Sequence, residues 1–388
     1  MRILVCALDG PEPRTNGIRL AVGALLDELR KKHDIRYLGY RMPDQHSVTE
    51  HHWMRLVDPP PRPVRGTSLL RATLRRRPWE ADRLAAGLEA ALRDELRTFD
   101  PDIVHVTRWV LAGLGRVVRD GNALLTAFDA WHLNVDASLA VASRFRRPLI
   151  RAEARHIRMF EAAEFASFER VVVVSQEDKA ALQELNGALR ISVVPNGVDT
   201  DFFAPDSTAS VSNRIVFTGH MGYPPNIVTA TFTAHELFPR VRAVRPDAEL
   251  VIVGRDPHPQ VLKLEALDGV TVTGEVADIR PWLRSARVYV CPMLTGTGIK
   301  NKLLEAMASG LPCVVTPLAL QGIAGTAGEH VLVGESADEL AAQIVRVMDD
   351  ATLAHRLGEA ACEYVRTHHS WTSAAEAYER IYAELRGG

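Results

Sequence analysis

The chain has 388 residues, of which 47% are hydrophobic and 24% charged, and its formal net charge at pH 7 is −2. This composition is typical of a globular protein and excludes a disordered or fibrous chain, and no uninterrupted apolar stretch reaches the ~18 residues of a membrane span. A single hydrophobic core rarely extends beyond ~250–300 residues, so the length favours two domains of comparable size.

The cysteines and the first residues indicate a cytoplasmic protein. Cys6, Cys291, Cys313 and Cys362 are far apart, and none belongs to a CxxC pair. This spacing indicates neither a zinc site nor a disulfide framework, and it fits a reducing compartment. The opening MRILVCALDG has too short an apolar run for a signal peptide and predicts a β-strand instead.

The charge is unevenly distributed along the chain. Residues 1–190 contain 30 Lys and Arg against 25 Asp and Glu, whereas the remainder contains 16 against 23. The basic residues concentrate in 62–83 and 144–158. These stretches are either solvated helix faces or a surface for an anionic acceptor or membrane, with 62–83 as the candidate for peripheral membrane contact. They lack interleaved aromatic residues, so we do not expect nucleic acid binding.

In the first half of the chain, short apolar runs alternate with segments of helical periodicity. The predicted strands are Arg2–Ala7, Ile35–Tyr40, Ile103–Val106, Leu124–Phe128, Val171–Val174 and Ile191–Val194. The predicted helices are Gly17–Lys32, Glu80–Phe99 and Pro148–Phe168. The proline- and arginine-rich stretch Pro59–Pro78 interrupts this alternation and predicts a loop.

The alternation restarts in the second half. The predicted strands are Arg214–Thr218, Glu249–Val253, Val270–Thr273, Val288–Cys291 and Pro312–Thr316. The predicted helices include Asn226–Arg245 and Ile299–Ser309, the latter ended by Gly310 and Pro312.

Alternating strands and helices give parallel sheets that helices cover on both faces. We therefore expect an α/β protein of two Rossmann-like domains that face each other across a cleft, with ligands at the carboxyl ends of the strands. The expected domains are residues 1–195 and 196–369, and a helix over 370–388 is expected to pack back on the first domain.

A nicotinamide-dependent dehydrogenase is the first doubly wound candidate, and the sequence excludes it. Such an enzyme needs GxGxxG between the first strand and helix, whereas Gly10 and Gly17 are too far apart. A glycine that opens a helix still lets backbone N–H groups approach a phosphate. Gly17 is therefore either a phosphate-binding residue or an ordinary turn residue.

The most specific sequence is YVCPMLTGTGIKNKLLEAMASGLPCVVTP at 289–317. With PDIVHV at 101–106, VVPNGVDTDFF at 193–203, IVFTGH at 215–220 and LVIVGRDP at 250–257, it resembles glycosyltransferase family 4. This resemblance spans nearly the whole chain. It implies the two-domain B-type fold and metal-independent, retaining transfer from a nucleotide sugar, with no cofactor.

The resemblance assigns the donor site to the second domain. Glu305 matches the second glutamate of the family signature and is expected to accept hydrogen bonds from the ribose hydroxyls. Thr297 stands at the place of the first glutamate, where it and the backbone amides of the loop would read the sugar hydroxyls. Val276 is expected to border the base. The diphosphate is assigned to Gly298, Ile299, Lys300, Asn301 and Lys302.

The usual phosphate clamp of the family is altered. His220 and Pro225 occupy the positions of its Arg and Lys, so His220 either contacts phosphate or only packs in its turn. Lys300 and Lys302 are the candidates to replace the missing charge. Lys302 is the better phosphate ligand if both are helical, whereas Lys300 is better if the helix starts later.

Asp129 and His132 are the acceptor-side candidates, because they follow the strand Leu124–Phe128 where the family places an acid or histidine. Asp129 either orients or deprotonates the acceptor hydroxyl or only caps a helix. The DxD triplet Asp199-Thr200-Asp201 resembles a manganese signature of another glycosyltransferase fold, but it lies in an interdomain turn and predicts no metal site.

The sequence thus predicts a retaining glycosyltransferase that moves a sugar from a nucleoside diphosphate sugar to a hydroxyl of a glycan or secondary metabolite. Its expected catalytic residues are Asp129, Thr297 and Glu305. Three alternatives remain open, namely a nucleotide-sugar epimerase, a pseudo-glycosyltransferase of the same fold and a non-catalytic sugar-nucleotide-binding protein.

Overall fold

A computed structural model describes residues 1–14, 17–42, 51–61, 78–118, 122–141, 144, 146–206, 212–296 and 298–387. Thr297 and most of the predicted loop Pro59–Pro78, including the basic residues 62–77, lie outside these ranges. The chain divides into two compact units, of which the first comprises Met1–Pro195 with Ala374–Gly388 and the second comprises Asn196–Ser373.

Seven described strands of the first unit form a parallel sheet in the order β3-β2-β1-β4-β5-β6-β7. The strands are β1 (Arg2–Asp9), β2 (Asp34–Tyr40), β3 (Met54–Val57), β4 (Ile103–Thr107), β5 (Ala123–Phe128), β6 (Arg170–Val173) and β7 (Ile191–Val193). Their central residues, such as Leu4, Val106 and Leu125, are fully buried because helices cover both faces of the sheet.

Five α-helices belong to the described part of this unit before its C-terminal helix. They are α1 (Gly17–Leu29), α2 (Trp79–Phe99), α3 (Trp131–Val141), α4 (Arg147–Glu164) and α5 (Gln176–Leu185). On α4 the buried residues Ala154, Ile157 and Phe160 recur every three residues, which is the spacing of one helix face. The helix α5 begins at a Ser175 cap, whose hydroxyl accepts the N–H of Asp178.

Six described strands of the second unit form a parallel sheet in the order β10-β9-β8-β11-β12-β13. The strands are β8 (Arg214–Thr218), β9 (Glu249–Val253), β10 (Val270–Val272), β11 (Val288–Cys291), β12 (Cys313–Val315) and β13 (Leu332–Val333). The helices are α6 (Pro224–Phe232), α7 (Phe238–Val244), α8 (Pro259–Leu262), α9 (Arg280–Arg284), α10 (Asn301–Ala308), α11 (Ala337–Asp349) and α12 (Ala351–His368).

The last helix, α13 (Trp371–Gly387), belongs to the first unit from Ala374 onward. A buried polar network fastens it to the sheet. Nδ1 of His105 lies 2.8 Å from the Tyr382 hydroxyl, and Nε2 lies 2.7 Å from Oγ1 of Thr126. Burial lowers the pKa of His105 to about 3, so the ring stays neutral and joins this network as both donor and acceptor.

The predicted α/β class, with parallel sheets in two domains, is confirmed. The helix predicted over Asn226–Arg245 consists of α6, a π-helical segment Thr233–Leu237 and α7. The helix predicted over Ile299–Ser309 begins two residues later, at Asn301, because Gly298 has a φ of 70° and Lys300 a non-helical ψ of 83°.

Candidate functional site

The loops at the carboxyl ends of β8, β9 and β10 meet at one edge of the second sheet. Thr218 ends β8 and Val253 ends β9, and each is followed by a glycine. A Cβ atom at Gly254 would lie 1.7 Å from the carbonyl oxygen of Gly219, so only glycine allows this approach. The two loops are therefore held against each other through backbone atoms.

A cavity of about 310 Å³ opens at this edge. It brings together four residues that the sequence predicts for the donor site, namely His220, Val276, Lys302 and Glu305. Its other lining residues were not predicted, and they are Thr218, Gly219, Val253, Gly254, Arg255, Glu275 and Ile279. Arg255 lies two residues after the end of β9, and Glu275 lies three residues after the end of β10. These positions at the carboxyl ends of parallel strands could have indicated both residues from the sequence.

Lys302 and Glu305 lie three residues apart on α10, so they share one face of this helix. Burial raises the pKa of Glu305 to about 7, although the positive charge of Lys302 opposes this shift. Burial also lowers the pKa of Lys302, and the charge of Glu305 opposes that shift in turn. The cavity therefore holds an acid and a base whose charged forms are both destabilised by dehydration.

Two neighbours position the Lys302 ammonium group. Its Nζ donates a hydrogen bond to Oδ1 of Asn226 and lies 4.6 Å from the centre of the Phe217 ring. Asn226 is almost fully buried, and its Nδ2 donates to the carbonyl oxygen of His220 at 2.9 Å. Asn226 thus connects the loop after β8 to the lysine of α10, a role that its position in the sequence did not indicate.

The remaining loop residues of the predicted donor site lead into α10 without lining the cavity. Lys300 is buried and its Nζ donates to the carbonyl oxygen of Gly298 at 2.5 Å. Ile299 packs against the core of the unit. Oδ1 of Asn301 is buried and has no hydrogen-bond partner among the described residues. Lys302, and not Lys300, is therefore the lysine of this loop that reaches the cavity.

The His220 side chain lies beside the Asp256 carboxyl group and is partly exposed to solvent. Its Nε2 lies 3.1 Å from Oδ2 of Asp256, and its side chain is 45% exposed. The ring lines the cavity mouth but contributes no fixed positive charge there, because an imidazole is charged only when protonated. The lysine and arginine side chains among the described lining residues are Lys302 and Arg255.

The first unit has a second polar edge, at the carboxyl ends of β1, β4 and β5. Phe128 and Arg108 adopt φ values of 68° and 73°, which are strained for residues other than glycine. Burial lowers the pKa of Arg108, and the negative charges of Asp9, Glu80 and Asp129 oppose this shift. The predicted acceptor residue Asp129 is thus one of three carboxyl groups whose charge acts on Arg108.

The other predicted acceptor residue, His132, lies in the first turn of α3. Its Nδ1 lies 2.6 Å from Oε2 of Glu161, and both side chains are almost fully buried. Gly17 opens α1 as predicted, and Arg19 on the same helix donates from Nε to Oδ2 of Asp9 at 2.6 Å. No motif in the sequence marked Glu161, Arg19 or Asp9 as residues of this site.

The DxD triplet Asp199-Thr200-Asp201 forms part of a turn. Oδ1 of Asp199 accepts the backbone N–H of Phe202 at 2.8 Å.

No helix in the described part of the chain combines the length and the apolar composition that a membrane span requires.

Two family models match the chain, one for each half. A model described as Glycosyltransferase Family 4 matches residues 15–202, and one described as Glycosyl transferases group 1 matches residues 212–350.

Curated relatives include two mannosyltransferases. The MMP alpha-(1->4)-mannosyltransferase of Mycolicibacterium hassiacum is 28% identical over 298 residues, which are 74% of this chain and 71% of that protein. The phosphatidyl-myo-inositol mannosyltransferase of Mycobacterium leprae is 30% identical over 201 residues, or 49% of this chain and 52% of that protein. The chain thus matches about half the length of the second relative.

Solved structures share the fold at low sequence identity. The sucrose-phosphate synthase of Thermosynechococcus elongatus has a TM-score of 0.75 at 19% identity and covers 100% of this chain and 99% of its own. Anabaena HepE, solved in complex with UDP and glucose, has a TM-score of 0.67 at 14% identity, and the match covers 99% of this chain and 100% of HepE.

Proposed function

The chain belongs to glycosyltransferase family 4 and is a glycosyltransferase, and on this premise we propose that its donor is a nucleoside diphosphate sugar bound in the cavity of the second unit. The observation that carries the proposal is the Lys302–Glu305 pair in that cavity. The relatives include a mannosyltransferase that depends on GDP-mannose, and the structural neighbour HepE was solved with UDP.

The pair supplies the two contacts that a nucleoside diphosphate needs. The Glu305 carboxylate accepts hydrogen bonds from the two ribose hydroxyls, and the Lys302 ammonium neutralises part of the diphosphate charge. A bound dianion favours the charged form of Lys302, which dehydration disfavours, so lysine and ligand stabilise each other.

The proposed reaction is retaining and uses no protein nucleophile. The bond between the sugar C1 and the diphosphate oxygen breaks, and the acceptor oxygen forms a bond to C1 on the same face. The acceptor proton passes to the departing phosphate. Lys302 stabilises the negative charge that develops on that phosphate as the bond breaks.

We assign the acceptor to the polar edge of the first unit. Arg108 and Asp129 there are suited to bind a sugar or polyol hydroxyl, because together they offer donors and acceptors. The relatives include a phosphatidyl-myo-inositol mannosyltransferase and a glycogen synthase, which supports an acceptor that is a glycan or a polyol-bearing lipid.

We also propose that α4 contacts an anionic lipid surface. Arg147, Arg151 and Arg155 recur every four residues, so they share one face of α4, and all three are exposed. Each basic residue near such a surface contributes about 1 kcal/mol. Replacing the three arginines with serine should abolish co-sedimentation with anionic vesicles, whereas Arg93→Ser on α2 should not. Equal sedimentation of both variants would contradict this part of the proposal.

The donor assignment is tested by calorimetric titration of GDP, UDP and ADP into the parent protein and into Lys302→Ala. We expect one nucleotide to bind the parent and to lose tenfold or more in affinity in the variant. The exposed Lys263→Ala serves as the matched control and should bind as the parent does. Parental affinity in Lys302→Ala would contradict the assignment.

Nucleotide release then separates transfer from the alternatives. A transferase releases nucleoside diphosphate from its nucleotide sugar in proportion to added acceptor. An epimerase forms a new donor isomer without acceptor, and a binding protein does neither. Either of the latter results would refute the proposed function.

A further inference from the structure

We propose that Glu161 is a positioning residue that fixes the ring of His132 with Nδ1 protonated, so that Nε2 accepts a hydrogen bond from a substrate hydroxyl. The assignment of that hydroxyl to a sugar substrate rests on the proposed function. The orientation of the ring rests on the geometry of the first unit alone.

Glu161 uses both of its carboxylate oxygens in this arrangement. Oε1 accepts the backbone N–H of Trp131 at 2.7 Å, and Oε2 lies 2.6 Å from Nδ1 of His132. The Glu161 side chain is 0% exposed. A carboxylate has only acceptor oxygens, and Oε1 already accepts the Trp131 N–H, so we assign Oε2 the same role towards His132. The hydrogen between Oε2 and Nδ1 therefore belongs to Nδ1.

The first turn of α3 is held at a second point. The backbone N–H of Ala130, directly before α3, donates to Oδ1 of Asp178 at 2.9 Å. The hydroxyl of Ser175, which caps α5, also contacts the Asp178 carboxyl group. Two buried carboxylates from two other helices thus fix consecutive N–H groups, and the segment that carries His132 cannot rotate independently of them.

These contacts hold the His132 ring in one orientation and use only Nδ1 of its two ring nitrogens. Its side chain is 5% exposed, and Nε2 has no hydrogen-bond partner within the described part of the chain. His132 stands three residues after Asp129, at the carboxyl edge where parallel sheets bind ligands. A neutral ring protonated at Nδ1 offers Nε2 as an acceptor, which suits a hydroxyl and not an anion.

Glutamine at position 161 distinguishes this role from a packing role. A glutamine has one acceptor oxygen and one NH₂ group, so it can satisfy either the Trp131 N–H or the His132 Nδ1–H but not both. If its oxygen keeps the backbone N–H, its NH₂ group donates to Nδ1 and the ring proton moves to Nε2. The variant then presents a donor to the substrate where the parent presents an acceptor.

The matched control is Glu164→Gln. Glu164 lies one turn later on the same helix, is equally buried and pairs with Arg116 instead of a histidine. A change that only loosens α4 would affect both variants alike, whereas the proposed change affects only Glu161→Gln.

The test combines a spectroscopic and a kinetic measurement. In protein with ¹⁵N-labelled histidine, the ring signals of His132 are identified by their loss in His132→Gln, and long-range proton–nitrogen correlation shows which nitrogen carries the hydrogen. We expect Nδ1–H in the parent and in Glu164→Gln, and Nε2–H in Glu161→Gln. We expect kcat to fall tenfold or more in Glu161→Gln, with the donor KM changed less than twofold.

Three results would overturn the proposal. These are a parent ring protonated at Nε2, a Glu161→Gln variant with parental tautomer and kcat, and a tautomer change of the same size in Glu164→Gln. The ring assignment of His132 in the parent protein tests the proposed tautomer even if Glu161→Gln does not fold. It also needs no substrate, so a failure of sugar transfer would refute the proposed function and leave the ring assignment to its own test.

Discussion

Replacing Glu305 with glutamine is expected to stabilise the ligand-free protein at pH 8 but much less at pH 5. Burial raises the pKa of this carboxyl group from 4.5 to about 7. The folded state therefore favours the protonated form, and the cost of ionisation grows as the pH rises from 4.5 and is complete above 7. Glutamine has nearly the same shape and no charge to bury.

The size of the effect follows from the pKa shift. At 1.36 kcal/mol for each pKa unit, the full cost is about 3 kcal/mol, and the part that develops between pH 5 and pH 8 is about 2–3 kcal/mol. For a unit of this size, 1 kcal/mol corresponds to about 2–4 °C in melting temperature. The advantage of the variant over the parent should therefore grow by about 5–10 °C between pH 5 and pH 8.

Thermal unfolding of the two proteins without ligand measures this difference. Glu265→Gln, which replaces an exposed acid of the same unit, is the control and should show no such pH dependence. The nucleotide-induced increase in melting temperature should meanwhile shrink in Glu305→Gln, because two charge-assisted hydrogen bonds to the ribose become neutral ones. A stability difference that is the same at both pH values would refute the reasoning.

Three further predictions concern the same cavity. Affinity of the parent for its nucleotide sugar should rise about tenfold from pH 6 to pH 8, since a carboxyl group with a pKa of about 7 is about 9% ionised at pH 6 and about 91% ionised at pH 8. Calorimetry should show a flat pH profile in Glu305→Gln, and a sloping one would contradict the assignment. Lys302→Ala should lose tenfold or more in kcat/KM and Lys300→Ala less than threefold, because Lys302 lines the cavity and Lys300 does not. A larger loss in Lys300→Ala than in Lys302→Ala in steady-state kinetics would be inconsistent with that geometry. Gly254→Ala should unfold at a markedly lower temperature than the parent because its Cβ would meet the Gly219 carbonyl at 1.7 Å, whereas Gly187→Ala meets nothing closer than 3.9 Å and should not.

The sequence predicts most of the sheet strands because parallel strands buried on both faces read as continuous apolar runs. It does not predict β3, because Arg55 interrupts the apolar run of that strand, and it does not predict β13, which has only two residues. It also misplaces the start of α10 by two residues. The positive φ of Gly298 is a backbone property that helical spacing alone does not reveal.

The sequence supplies the parts of the site that lie in motifs and misses those that act through contacts across the chain. Lys302 and Glu305 are three residues apart, so the motif itself places them on one helix face. Asn226 and Glu161 are 76 and 29 residues from the side chains that they position. Such partners are determined by how the helices pack, which one sequence without a structure does not show.

The central claim is that the loops at the carboxyl edge of the second unit bind the donor. Hydrogen–deuterium exchange, with and without the nucleotide sugar that calorimetry identifies, tests it most directly. We predict protection at 218–221, 253–256, 274–277 and 298–306, with no protection at the opposite end of the same sheet around 309–312. Protection confined to the first unit, or at 309–312 instead of 298–306, would contradict the claim.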